Sequence, residues 1–176
     1  VGGDGAKLEA FRQKQNRLIG DFLTEVMEKA VKMSESNACM KRIVAAPTAG
    51  SCGVIPAVLL TYEDQREVSQ DRLVEALFVA AGIGEVIAAS ASIAGAEGGC
   101  QAEIGSASAM AAGALVALRG GSAEQIGHAV AMTLKNLMGL VCDPVAGLVE
   151  VPCVKRNVIG AMNAVSAADM ALAGIE

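Results

Sequence analysis

Aromatic side chains are nearly missing from this chain: they make up 2% of its 176 residues, and tryptophan is absent. Hydrophobic residues still reach 53%, so a core must be filled by Ala, Val, Leu, Ile and Met, which suits closely packed helices. No basic run occurs, and the net charge of -5 comes from mixed signs, which argues against nucleic acid or an anionic membrane as partner. Long uncharged spans are also scarce. Ile104 to Leu118, bounded by Glu103 and Arg119, is too short to cross a bilayer, and Ile43 to Tyr62 is broken by Pro47, Gly50, Gly53 and Pro56. No signal peptide precedes Asp4, and the chain opens on Val1 without a Met, as a fragment or processed product does. The five cysteines form no C-x-x-C pair; their odd number and the lack of an export signal favour thiols in a reducing cytoplasm over disulfides.

What is present predicts an all-α fold: a single helical domain over residues 1–176, with a buried Ala/Gly-rich central helix and irregular loops carrying the cysteines. Leu8, Phe11, Leu18, Ile19, Phe22, Val26, Ala30 and Met33 recur at helical intervals. They predict one helix to about Arg17, a break at Gly20, and a second helix from about Asp21 to Met40. Cys39 falls near its end, where a small apolar packing role is the plain expectation. Val54 to about Arg66 can form a helix with Pro56 in its first turn, where the missing N–H does no harm. Ser69 can cap a helix from Gln70 to about Ala89, apolar on most sides but interrupted by Glu85, which would need a partner if buried. The Ala/Gly/Ser stretch to Arg119 is the central helix, ended by Gly120-Gly121. Ser122 and Gln125 form a capping box for Ala123 to about Met138, and a last helix runs from Val154 to Ala173. His128, the single histidine, lies in mid-helix as a surface or satisfied core residue.

Chemistry concentrates in two regions. The loop APTAGSCG leads into a helix N-terminus, where backbone N–H groups of Thr48, Ala49, Gly50, Ser51 and Gly53, with the Thr48 and Ser51 hydroxyls, can cradle a small anion such as a carboxylate. A mere turn between helices is the competing reading, and Cys52 is open between ligand, nucleophile and packing residue. The second region is GLVCDPVAGLVEVPCVKRN, residues 139–157. Its Asp-Pro, Gly and second Pro put Cys142 and Cys153 in turning backbone, and Pro152 sets Cys153 at a helix N-terminus, where a thiolate is expected to be favoured. Cys100, after Gly98-Gly99, is presented in the same way. With no histidine nearby to complete a zinc site, these three thiols suit an iron–sulfur cluster with one iron left open, against the alternative of three unrelated buried thiols. Glu97 is either a solvated loop charge or a functional carboxylate, and Asn136 lies near the thiols in sequence; these two are the candidates for polar catalytic side chains.

The segments APTAGSCGVIPAVL, SASIAGAEGGCQAEIGSASAMAAGAL and LKNLMGLVCDPVAGLVEVPCVKRN closely resemble the alpha chain, or alpha domain, of bacterial iron–sulfur-dependent L-serine dehydratases, and GGDGAKLEAF resembles the two-subunit type. The resemblance covers nearly the whole chain. It implies a [4Fe-4S] cluster, no pyridoxal phosphate, and conversion of L-serine to pyruvate and ammonia, with the substrate hydroxyl on the open iron. By position in the matched motifs the cluster cysteines are Cys100, Cys142 and Cys153, whereas Cys52 stands where related sequences often have Ala. It also implies a beta subunit or beta domain with a Ser-His-Thr motif, not found here, and a C-terminal tail beyond the segment resembling Ala171 to Glu176. The general base is then unassigned and is expected from the partner. No lysine stands in a glycine-rich phosphate-binding context, as Schiff-base chemistry would require. A homo-oligomer is left open. The alternative function is a non-catalytic metal-binding or redox-sensing helical module using the same cysteines.

Overall fold

A computed structural model describes residues 2–14, 17–148 and 150–176. Seven helices, and no strand, occur among the described residues: α1 Asp4–Arg12, α2 Asp21–Ala38, α3 Val54–Gln65, α4 Gln70–Ser90, α5 Gly95–Leu118, α6 Ala123–Leu137 and α7 Glu150–Leu172. The all-α expectation holds, and α4 and α6 start at the capping residues expected for them. The Ser69 hydroxyl accepts from the Arg72 N–H at 3.3 Å, and Ser122 and Gln125 close a reciprocal capping box on α6. At the end of α5, Gly120 takes a left-handed φ of 75°, and the N–H groups of Gly120 and Gly121 return to the carbonyls of Ala117 and Val116.

The centre is α5. Every residue from Ile104 to Val116 is buried, and the helix packs against α3, α4, α6 and α7. Small side chains make this approach close. A Cβ at Gly113 would lie 2.2 Å from Ile83 Cδ1, and one at Gly160 of α7 would lie 2.6 Å from Ile104 Cγ2. The Ser108 hydroxyl crosses the same interface to donate to the Gly160 carbonyl at 2.8 Å.

Two expectations about burial change. Cys39, read as a packing residue, is the exposed C-cap of α2, because the helix ends where the chain turns outward into the 39–53 connection. The second concerns α4, whose outer face meets no other described element. It buries only Leu73, Ala76, Ala80 and Gly84; Phe78 is 74% exposed and Val86 66%, and Glu85, instead of needing a buried partner, faces out with them. By length and composition α4 is long and apolar enough to span a membrane, the one such helix among the described residues.

The N-terminal helix is shorter than its apolar spacing suggests. It ends at Arg12, buries only Gly5, and is docked on α2 by charge. Arg12 Nε donates to Glu28 at 2.7 Å and its Nη1 to Glu25 at 3.2 Å, while Glu35 accepts from the Asp4 and Gly5 N–H groups. Burial works against the charge on Glu28, but the hydrogen bonds from Lys32 and Arg12 outweigh it and hold the carboxyl below its ordinary value. A carboxyl depressed in the fold stabilises at pH values above its unfolded pKa of about 4.3, and the contribution is lost as the pH falls through the lower folded value. Glu28→Gln should therefore lower stability by about 1–2 kcal/mol at neutral pH. The gap from wild type should narrow as the pH drops below about 4, as melting curves at several pH values will show.

Candidate active site

One end of α5 and the start of α7 frame the site. At Gly99 the backbone takes φ 72° and ψ −166°, a kink that breaks α5 just ahead of Cys100. Glycine is required there on two counts. The φ is left-handed, and a Cβ would sit 3.1 Å from the Cys142 nitrogen. Residues 138–148 of the connection are thereby brought against the helix. They are held by Gln101, whose N–H donates to the Leu140 carbonyl at 2.7 Å and whose Oε1 accepts from the Gly139 N–H at 2.8 Å. From α7, Arg156 completes the attachment: Nη1 lies 2.9 Å from both Cys100 Sγ and the Val141 carbonyl, and Nη2 pairs with Asp143 at 2.5 Å.

The result is that Cys100, Cys142 and Cys153, far apart in sequence, line one cavity of about 290 Å³ together with Gly95, Ala96 and Glu103. Cys100 is 2% exposed, Cys153 half-buried in the first turn of α7, and Cys142 exposed on the connection. The expectation that the helix start favours a Cys153 thiolate is overturned. Burial pushes that thiol up to about 11, with the negative fields of Cys100, Glu103 and Cys142 adding to the effect, and Arg156 only partly opposes them. Loss of hydration outweighs the helix terminus.

A second cavity, of about 250 Å³, adjoins the first and shares Glu103 and Cys153 with it; Ser34, Asn37, Ala38, Gly50 and Val154 supply the rest. Of the predicted anion loop, Gly50 lines it. Thr48 Oγ1 lies 2.8 Å from Ser51 Oγ and donates to Glu103 Oε1 at 2.5 Å. Asn157 is fully buried and pins the loop to α7. Its amide nitrogen donates to the Gly50 carbonyl at 2.7 Å and the Cys153 carbonyl at 2.8 Å, and its Oδ1 accepts from the Gly53 N–H at 2.9 Å. The N–H groups of Cys52 and Val54 are taken by the Ala49 and Ser51 carbonyls. The Gly53 N–H is thus committed to Asn157 and the Thr48 hydroxyl to Glu103. Cys52 is fully buried, its thiol pushed up to about 11 by burial, and it lines neither cavity.

The structure thus brings together the three cysteines and the loop, but not the two polar candidates. Glu97 is exposed and bound by the Ser92 hydroxyl, and Asn136 is exposed and donates to Asn163 Oδ1 at 2.9 Å. The side chains that do shape the site are Glu103, Arg156 and Asn157. Sequence did carry a signal for them: Glu103 follows Cys100 by one helical turn, and Arg156 and Asn157 follow Cys153 by one turn, so each shares a helix face with a thiol. A larger cavity, about 920 Å³ between α4, α5 and α6, is mostly apolar and offers no thiol or charged group.

The donor set can be tested against the group that the motifs imply. Among the described residues no three His, Cys, Asp or Glu side chains close on a single point as ligands of one ion at about 2.3 Å must. The three thiols instead line a space, with the Glu103 carboxylate on its wall and a cation, Arg156, beside them. Such a set fits a multi-iron cluster better than a lone zinc.

The structure is thus an all-helical domain with thiols from two helices and a connecting loop around one cavity. The chain matches the family Serine dehydratase alpha chain over residues 1–176, and it belongs to that family. It is 54% identical over 175 residues to the probable L-serine dehydratase, alpha chain, of Bacillus subtilis (strain 168), covering 99% of this chain and 58% of that protein. Identity to the L-serine dehydratase, alpha chain, of Peptoniphilus asaccharolyticus is 48% over 176 residues, 100% of this chain and 60% of the relative. A probable L-serine dehydratase, alpha chain, of Latilactobacillus sakei is 54% identical over 155 residues, 88% of this chain and 74% of that one. Against the first two, the chain spans about three fifths of the relative's length.

Proposed function

We propose that this chain carries the metal centre of an enzyme that dehydrates and deaminates L-serine to pyruvate and ammonia. The observation that supports it best is the shared wall between the thiol-lined cavity and the anion loop, formed by Glu103 and Cys153. The names of the relatives supply the substrate, L-serine.

Cys100, Cys142 and Cys153 would hold a [4Fe-4S] cluster, and no pyridoxal phosphate is involved. When bound, such a cluster supplies an iron with an open position, a Lewis acid that makes a hydroxyl a better leaving group. The chain's own residues do the rest of the binding. The Thr48 to Ser51 loop receives the substrate carboxylate and so fixes which end of the molecule points toward the thiols. Asn157 keeps that loop rigid, since moving it would break two hydrogen bonds, to Gly50 and Gly53, at once. Arg156 holds the Cys142 connection closed over the cavity and places positive charge beside sulfur. Loss of hydroxide and of the Cα proton gives an enamine, which tautomerises and is hydrolysed to pyruvate and ammonia. The base for the Cα proton is assigned to a beta subunit or beta domain, the partner that the alpha-chain names of the relatives suggest. We place the enzyme in the cytoplasm, where its thiols stay reduced.

Purification with and without oxygen tests this reading. The expected result is a brown protein containing iron and sulfide, whose serine turnover, measured with its partner, fades in air. A colourless zinc protein indifferent to oxygen would support a structural or redox-sensing module instead.

A further inference from the structure

We propose that Glu103 binds the substrate's ammonium group and thereby selects an amino acid over the same acid without its nitrogen. The inference rests on the serine-dehydratase reading above and assigns the part of the substrate which that reading leaves unbound.

Among the described residues, Glu103 is the one charged side chain lining either cavity, and it lines both. Its carboxylate lies in a gap left by two glycines. A Cβ at Gly50 would come within 2.5 Å of Oε2, and one at Gly95 within 2.9 Å. Oε1 is fixed by the Thr48 hydroxyl at 2.5 Å. No lysine or arginine among the described residues forms an ion pair with it, and the nearby cation, Arg156, is committed to Asp143, Cys100 and the Val141 carbonyl. A half-buried carboxylate beside three sulfur ligands and a substrate carboxylate is costly unless a cation joins it.

Serine supplies that cation in the right place. Its carboxylate and ammonium leave the same carbon, and its hydroxyl sits one bond further out. With the carboxylate on the Thr48 to Ser51 loop and the hydroxyl toward the thiol cavity, the ammonium falls on the wall between them, which is Glu103.

The test compares binding of L-alanine and propionate to the iron-loaded enzyme with its partner, by calorimetry without oxygen. These ligands share a carbon skeleton, differ in the ammonium, and carry no leaving group. Wild type should prefer L-alanine. Glu103→Gln should weaken L-alanine roughly 10–100-fold, leave propionate nearly unchanged, and keep full iron and sulfide. Glu103→Asp should retain part of the preference. An unchanged L-alanine affinity, an equal loss for both ligands, or loss of iron from both variants overturns the assignment. Failure of the parent reading has a separate signature: wild type that holds no iron or does not consume L-serine, while the Glu103-dependent preference for L-alanine persists.

Discussion

Cys142→Ser should yield a protein that folds and melts as wild type does, yet binds iron and sulfide only at background. The prediction follows from where the side chain sits. Cys142 is exposed, on a connection held by its neighbours: Gln101 grips Leu140, and Arg156 grips Val141 and Asp143. Removing one sulfur therefore costs the fold little, while a hydroxyl in its place is a much poorer ligand for iron than a thiolate. Cys100 would be a poorer choice for the same experiment, since it is buried and contacts Arg156, so its loss would confuse packing with ligation. Cys52→Ala is the matching control. That thiol is buried against α2, with Sγ 3.9 Å from the Met33 carbonyl, and lines neither cavity; the variant should lose some stability and keep its iron. Metal analysis, labile sulfide and visible absorbance on anaerobic samples decide the matter. Full iron content in Cys142→Ser would remove this cysteine from the ligand set, and unloaded Cys52→Ala would bring a fourth thiol into it.

What could be read from sequence was what depends on short-range rules. Ser69, the Ser122–Gln125 box and Gly120 set helix ends through contacts a few residues long, and the Ala/Gly/Ser run of α5 announced its own burial because only a crowded centre needs so many small side chains. The docking of α1 was hidden for the opposite reason. Arg12 meets Glu25 and Glu28 across a turn of chain, and charges on a helix read locally as a face toward water. Composition could not foresee the exposure of α4 either, since an apolar helix surface looks the same whether its own chain covers it or not. At the site, the thiols were found because their turns are marked by Gly and Pro. Glu103, Arg156 and Asn157 were passed over because each lies inside a helix, where side chains are usually packing or solvated; their spacing from a cysteine was the clue. The Cys153 thiol was misjudged because a helix start is visible in sequence while its enclosure is not.

Gly50→Ala should cut serine turnover, as kcat/KM, roughly 10–100-fold while iron content and melting temperature stay near wild type. The added methyl would occupy the space of the Glu103 carboxylate, within 2.5–2.7 Å of its atoms. Those atoms are the end of a flexible side chain, so the carboxylate can swing aside at small cost to the fold, but doing so breaks its bond from Thr48 and removes it from between the two cavities. The variant thus moves a charge without deleting it. If Glu103 acts on substrate from this position, Gly50→Ala and Glu103→Gln damage the same contact, and their effects cannot add. The double variant should fall close to the worse of the two singles. Penalties that multiply would mean that the methyl at position 50 harms turnover by another route, such as crowding the substrate carboxylate on the Thr48 to Ser51 loop. A Gly50→Ala enzyme with wild-type kcat/KM would show that the carboxylate's place beside this loop has no part in the reaction.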